Sequence, residues 1–343
     1  MARRLVILCL LAAAAMSAAA EHDHSSAIHV AGAMMQKPHH ARPRTAKPRR
    51  ARQAAKQTPA AATPNDPMWP SSWGMRALDM PAAWRLGQGA PKVVVAVLDT
   101  GVDSSQPDLA GALVPGWNAI TNTADTSDTY GHGTEVAGVI AARANNHLGG
   151  SGYCARCAVM PVKVLDGAGG GSSTTVAAGI RWAAAHGATV LNLSLVLAGR
   201  DPAVSSAIAD ATAQGLLVVA SAGNDGGTSA NYPAADPGAI SVAAADPSDA
   251  LYPWSNHGSW ITVSAPGCNE ATTVGNGYAE FCGTSSATAA VSGVLALAVA
   301  DCGCSAATVS RALTATAKSG SPPRVDGGAL VASLSADSTR RPT

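Results

Sequence analysis

Four polar residues stand where apolar runs begin or end, and their types suit one chemistry. Asp99 closes "KVVVAVLD", His132 opens "HGTEVAGVIAARA", Asn224 follows "GLLVVASAG", and Ser285 lies in "FCGTSSATAAVSG". A serine hydroxyl is a poor nucleophile until a base removes its proton, and an imidazole can take that proton and return it. A buried carboxylate fixes the imidazole tautomer, and an amide N–H stabilises the oxyanion that attack on a carbonyl creates. Together the four could perform acyl transfer through a covalent intermediate. Each also has a plain structural reading: a strand-end or turn carboxylate, a helix-start histidine, a turn asparagine, a helix N-cap.

The elements that must hold these residues repeat along the chain. "KVVVAVLD" (Lys92–Asp99), "AVMPVKVLD" (Ala158–Asp166), "ATVLNLSL" (Ala188–Leu195) and "GLLVVASAG" (Gly215–Gly223) are continuous apolar runs. Runs of this kind are strands buried on both faces of a parallel sheet. Between them lie the helical patterns "HGTEVAGVIAARA", "STTVAAGIRWAAAHG" and "DPAVSSAIADATAQG". Ser173 and Asp201 are the expected N-caps, with Gly187 and Gly215 as stops. Alternating strand and helix predicts an α/β domain. In such sheets the site forms just past strand C-termini, where Asp99 and Asn224 stand. "SSATAAVSGVLALAVA" is apolar nearly all round and predicts a central buried helix rather than a membrane span. Ser285 sits at its N-terminus, where unpaired N–H groups favour developing negative charge. Successive helical residues rotate by about 100°, so Ser286 should point elsewhere and pack or cap.

"VAVLDTGVD", "GHGTEVAG", "SAGND" and "GTSSATAAVSG" occur in an order, Asp then His then Ser, that resembles the subtilisin-like serine proteases. The resemblance runs from about Asn65 to Ala332. It implies a subtilisin-like three-layer α/β domain with a mostly parallel central sheet flanked by helices. It also implies Ser285 as nucleophile, His132 as general base and acid, Asp99 as its orienting carboxylate, and Asn224 in the oxyanion hole. Ser194, Leu195 and Val196, with Ala222 and Gly223, match the family's substrate-binding edge. Val196 replaces a glycine there, which should narrow the pocket for the residue preceding the cleaved bond and favour small side chains. Glu135 replaces the second histidine of the usual "HGTHVAG", and Ala289 replaces a proline. No cofactor is expected for catalysis. Structural calcium at Asp108 and Asn146 (or Asn145) is expected, since oxygen ligands suit Ca²⁺; a turn carboxylate beside an ordinary loop is the alternative.

The remainder of the sequence sets the context. "MARRLVILCLLAAAAMSAAA" has the layout of a secretory signal peptide (residues 1–20), with a membrane anchor as the alternative. From Glu21 to Lys56 eight Lys/Arg face two acids, a net of +6; from Gln57 onward 13 basic and 20 acidic residues leave −7. Residues 21–64, rich in Ala, Pro and His, are therefore expected to be a disordered arm or short pro-segment. Such an arm could contact an anionic surface or the acidic domain behind it; nucleic acid is not expected as a partner. The catalytic domain is expected over residues 65–335, with a polar tail at 336–343. Six cysteines remain beyond Cys9: Cys154, Cys157, Cys268, Cys282, Cys302 and Cys304. On an exported chain these read as disulfides whose connectivity the sequence leaves open; local pairs such as Cys268–Cys282 are the simplest, a direct Cys302–Cys304 bridge would be strained, and zinc is a rival. A secreted or periplasmic endopeptidase acting on proteins or peptides follows, with no stable membrane span. A peptide-binding pseudoprotease is the alternative, and the absence of "GxSxG" disfavours an α/β-hydrolase esterase.

Overall fold

The computed structural model describes residues 28–30 and 63–338. The expected leader, the basic run Lys37–Lys56 and residues 339–343 lie outside them. In chain order the elements are β1 (Ile28–Val30), α1 (Trp73–Ala77), α2 (Met80–Leu86), β2 (Val94–Asp99), β3 (Trp117–Asn118), α3 (His132–Ala141), β4 (Ala158–Lys163), β5 (Gly170–Gly171), α4 (Ser173–Ala185) and β6 (Val190–Leu193). Then follow β7 (Leu195–Leu197), α5 (Pro202–Ala213), β8 (Leu217–Ser221), β9 (Ala239–Ala245), β10 (Val263–Pro266), β11 (Cys268–Thr273), β12 (Gly277–Cys282), α6 (Thr284–Cys302), α7 (Ala306–Thr316) and α8 (Gly327–Ser338). The last helix thus continues beyond residue 335.

Seven strands form one parallel sheet in the order β10-β9-β8-β6-β2-β4-β3. The four long apolar runs supply four of its five interior strands, β9 being the fifth, because β-branched residues fit a pleated surface covered on both sides. Along β2, Val95 and Val97 join the core under α3 and α6, while Ala96 and Leu98 join the core under α4 and α5. That alternation divides the molecule into three layers. The chain reverses its direction of winding beside β2, so the C-terminal end of β2 lies at a topological switch point.

Helix α6 is the central element. Its 19 residues are long and apolar enough to cross a membrane by composition. They are instead enclosed, packed on β6, β8, β9 and β10 on one side and on α3 and α8 on the other. The expected caps hold with one shift. Asp201 accepts from the Ala203 and Val204 N–H groups, whereas Ser172, not Ser173, caps α4 by accepting from Thr175 N. Ser173 is already helical, so its hydroxyl lies one residue too late for the cap.

All six described cysteines pair locally: Cys154 with Cys157, Cys268 with Cys282, and Cys302 with Cys304. The zinc alternative is therefore not what the sulfurs form.

Part of the expected disordered arm departs from that expectation. Ile28–Val30 form a strand that lies between β5 and β7, antiparallel to both. Two β-branched residues flanking His29 suit the strand, unlike the Pro-rich basic run that follows.

Candidate active site

Asp99 ends β2 and is fully buried. Its carboxylate accepts from the Thr100 N–H at 2.7 Å and faces His132 Nδ1 at 2.8 and 2.9 Å through its two oxygens. His132 is the first residue of α3, and Gly133 makes that closeness feasible. A Cβ on Gly133 would lie 2.1 Å from the Gly101 carbonyl oxygen and 3.2 Å from Asp99 Cβ. The helix start can press onto the strand end because Gly133 has no side chain.

The N-terminus of α3 has no side-chain cap of its own, since Gly131 occupies that position. Asp128 replaces it. One Asp128 oxygen accepts from Tyr130 N and Gly131 N, and from Thr100 Oγ1; the other accepts from Thr134 N and Thr134 Oγ1. The loop, the helix start and the segment after Asp99 are thus tied to one buried carboxylate. Sequence reasoning missed Asp128. Its signal is an acid four residues ahead of an uncapped, glycine-flanked helix start. Phe281, the single phenylalanine of the chain, was missed too. It meets the His132 ring edge-to-face, with centroids 5.4 Å apart, and brings the approach to α6 against the imidazole.

Burial opposes charging His132, yet the Asp99 carboxylate and its hydrogen bond, then Glu135 and Asp128, hold its pKa above the ordinary histidine range. Glu135 lies one helical turn along. Burial first, then Asp128 and Asp99, push it up to about 7 against the pull of His132.

Ser285 is the second residue of α6, fully buried. Its Oγ donates to the Ser194 carbonyl at 3.4 Å, and Ser194 Oγ donates to the Ser285 carbonyl at 3.3 Å. His132 Nε2 is buried without a hydrogen-bond partner among the described residues. Asp99 and His132 are therefore joined directly, while Ser285 is tied to Ser194 rather than to the imidazole. Ser286 turns away as expected, accepting from Asn269 Nδ2 at 2.9 Å.

Asn224 follows β8. Its Oδ1 accepts from Thr284 N and Thr284 Oγ1, at 2.9 and 2.8 Å, which leaves the Nδ2 edge facing the start of α6. Gly283 marks where that edge converges with another donor. A Cβ on Gly283 would lie 3.3 Å from Asn224 Nδ2 and 3.7 Å from Ser285 N, and its φ of 149° suits glycine. Asn224 Nδ2 and Ser285 N thus both border the space beside Gly283. Of the expected substrate edge, Leu195 and Val196 lie on β7, Ser194 immediately precedes it, and Ala222 and Gly223 lie between β8 and Asn224. Val196 is opposite His29 of β1.

The calcium candidates lie by the C-terminal end of α3, where Arg143 N donates to the Asp108 carbonyl. Asp108 is fully buried, its Oδ2 has no hydrogen-bond partner among the described residues, and burial with nearby Asp66 pushes its pKa up to about 6. Asn146 turns its Nδ2 to Asp108 at 2.6 Å and its Oδ1 to Leu148 N. Asp66, also buried, accepts from Asn145 N, Asn146 N and Ser151 Oγ. An orphaned carboxylate oxygen beside a second acid fits a hard cation, with rotation of the Asn146 amide to offer its oxygen.

Comparison with known proteins follows the same lines. The sequence profile of the subtilase family matches residues 90–329. Thermitase of Thermoactinomyces vulgaris is 40% identical over 257 residues, covering 74% of this chain and 91% of that protein. A thermophilic serine proteinase of Bacillus sp. (strain AK1) is 38% identical over 240 residues, covering 69% of this chain and 60% of that protein. Among solved structures, a protease from Pseudoalteromonas arctica superposes with a TM-score of 0.73 at 29% identity, covering 80% of this chain and all of that one.

Proposed function

The chain belongs to the subtilase family and is a subtilisin-like serine endopeptidase, and from that premise we propose that it cuts extended protein segments through an acyl-enzyme on Ser285. What supports this reading is the carboxylate-bound imidazole of His132, together with a serine at a buried helix N-terminus and two N–H donors beside Gly283. In the proposed step, Ser285 Oγ rotates from the Ser194 carbonyl and attacks the substrate carbonyl carbon as its proton passes to His132 Nε2. Asp99 holds the opposite nitrogen and stabilises the imidazolium. Asn224 Nδ2 and Ser285 N–H donate to the oxyanion. The proton then goes to the leaving amine, and water repeats the sequence to free the acid.

Asp108, with Asn146 after rotation, is our proposed calcium site. Export is proposed on the leader-like start and on three disulfides, which persist in oxidising compartments. We also propose that Val196 limits the residue preceding the cut. In antiparallel pairing, a side chain two positions past His29 lies on the same face as Val196 and diagonal to it.

Hydrolysis of a chromogenic peptide by purified protein tests the triad. Ser285→Ala and His132→Ala should each lose about 10⁶-fold in kcat, and Asp99→Asn about 10⁴-fold. Undiminished turnover by folded Ser285→Ala would overturn the assignment.

A further inference from the structure

We propose that the cleft between the end of α3 and the loop closed by Cys154–Cys157 binds a carboxylate carried on an apolar body, held by the guanidinium groups of Arg143 and Arg156. This goes beyond peptide hydrolysis and does not depend on which serine is the nucleophile. The cleft has a volume of about 340 Å³, with Pro64, Trp84 and Pro91 as walls and Gln88, Arg143 and Arg156 as polar lining. Apolar walls with a few polar groups, at that size, suit a small ligand.

Two like charges share this cleft, and none of its lining residues carries a carboxylate. Residues from Gln57 onward hold 13 bases and 20 acids, and Arg181, Arg200 and Arg324 each meet an aspartate. Among the described residues Arg143 and Arg156 meet none. Burial, then the Arg156 charge, pulls the pKa of Arg143 below the ordinary arginine value. A guanidinium stays charged at neutral pH regardless. An anion between the two groups therefore relieves both the burial and the repulsion, and a carboxylate also accepts charge-assisted hydrogen bonds from them.

The frame around these donors is held in place by the fold. Arg143 stands two residues beyond α3, where its Nη1 donates to the Ala155 carbonyl at 2.6 Å and its Nε to the Ala110 carbonyl at 3.2 Å. Its Nη2 has no hydrogen-bond partner among the described residues. Arg156 lies inside the loop that Cys154 and Cys157 close; it is exposed, and its side chain makes no hydrogen bond among the described residues. A Cβ on Gly89 would overlap Cys154 Sγ, so the segment carrying Gln88 and Pro91 packs directly on that loop. Donors fixed in advance lose little freedom when a ligand binds.

The walls decide the rest of the ligand. Trp84, on α2, donates its Nε1 proton to the Tyr153 carbonyl at 3.1 Å, and its ring centroid lies 5.8 Å from that of Trp69. With its N–H engaged, the indole offers the cleft apolar surface alone, beside Pro64 and Pro91. A bare inorganic anion would leave that surface wet, whereas an aromatic or branched carboxylate covers it. Free acids such as 3-phenylpropionate have this chemistry, and so does the C-terminus of a peptide ending in an apolar residue. Helix α3, ten residues long, separates the cleft from His132 by about 15 Å.

The experiment is calorimetric titration of the full chain, carrying Ser285→Ala so that peptides stay intact. The ligands are 3-phenylpropionate, its amide, inorganic phosphate and an acetylated Ala-Ala-Phe peptide acid. The expected result is one saturable site for 3-phenylpropionate, with the amide and phosphate each weaker by about tenfold or more. Adding Arg156→Gln should weaken the acid by about tenfold or more at an unchanged melting temperature, because that side chain is exposed. With Ser285 present, Arg156→Gln should leave hydrolysis of a chromogenic peptide unchanged. Tighter binding of the peptide than of the free acid would assign the cleft to peptide termini, and weaker binding to free acids. Equal affinity for acid and amide, phosphate binding as tight as the acid, undiminished binding in Arg156→Gln, or no saturation by about 1 mM acid would overturn the proposal.

Discussion

At the scale of single residues, Glu135 gives the sharpest consequence. It adds negative charge near His132 and helps to raise the histidine's pKa. The base must be neutral to accept a proton, so a raised pKa moves the acidic limb of kcat/KM to higher pH. Glu135→Gln removes that charge, lowers the histidine pKa, and should shift the limb toward lower pH. An unchanged limb would mean that Glu135, pushed up to about 7 by burial, is already protonated across the pH range of the limb. The residues carrying the proposed chemistry were legible because each requires a particular side chain at the end of a particular run. Their supports were less so. Asp128 acts through five hydrogen bonds set by loop geometry, and Phe281 acts through a ring contact across the fold. Neither leaves a periodic trace. Glu135 was visible as a departure, but its burial depends on neighbours that no local pattern reveals.

At the scale of elements, apolar runs predicted four of the five interior strands and the all-round apolar stretch predicted α6, because burial on both sides removes the polar face. Short elements escaped. β5 consists of two glycines and β11–β12 is a hairpin whose ends are joined by Cys268–Cys282. Pairing partners define them more than composition does. The strand β1 was hidden for the same reason: three residues in a Pro- and Lys-rich arm become a strand because two edges accept them. Capping is testable at α5, where Asp201 satisfies two N–H groups outside the catalytic machinery. Asp201→Ala should cost about 1 kcal/mol of stability, read as a lower denaturation midpoint, with peptide hydrolysis unchanged. No shift would show that water replaces the carboxylate at that helix end.

At the scale of the whole molecule, the buried acid Asp108 predicts how stability responds to pH and, at the proposed calcium site, to added cation. Asp108 has a folded pKa of about 6 against an ordinary value of 3.8. Its protonated form is favoured by folding, so its contribution is present below the unfolded value and lost as pH rises through about 6. Metal-free protein should therefore melt at lower temperature at pH 7 than at pH 5, and Asp108→Asn should flatten that slope. Added Ca²⁺ should raise the pH 7 melting temperature of the wild type but not of Asp108→Asn. Equal responses in both proteins would place the cation elsewhere.

The most direct test of the central claim is covalent labelling of the purified protein by a fluorophosphonate, located by peptide mass spectrometry. The account predicts one adduct, on Ser285, lost in Ser285→Ala and retained in Ser286→Ala. No adduct on folded wild-type protein, or an adduct that survives Ser285→Ala, would contradict it.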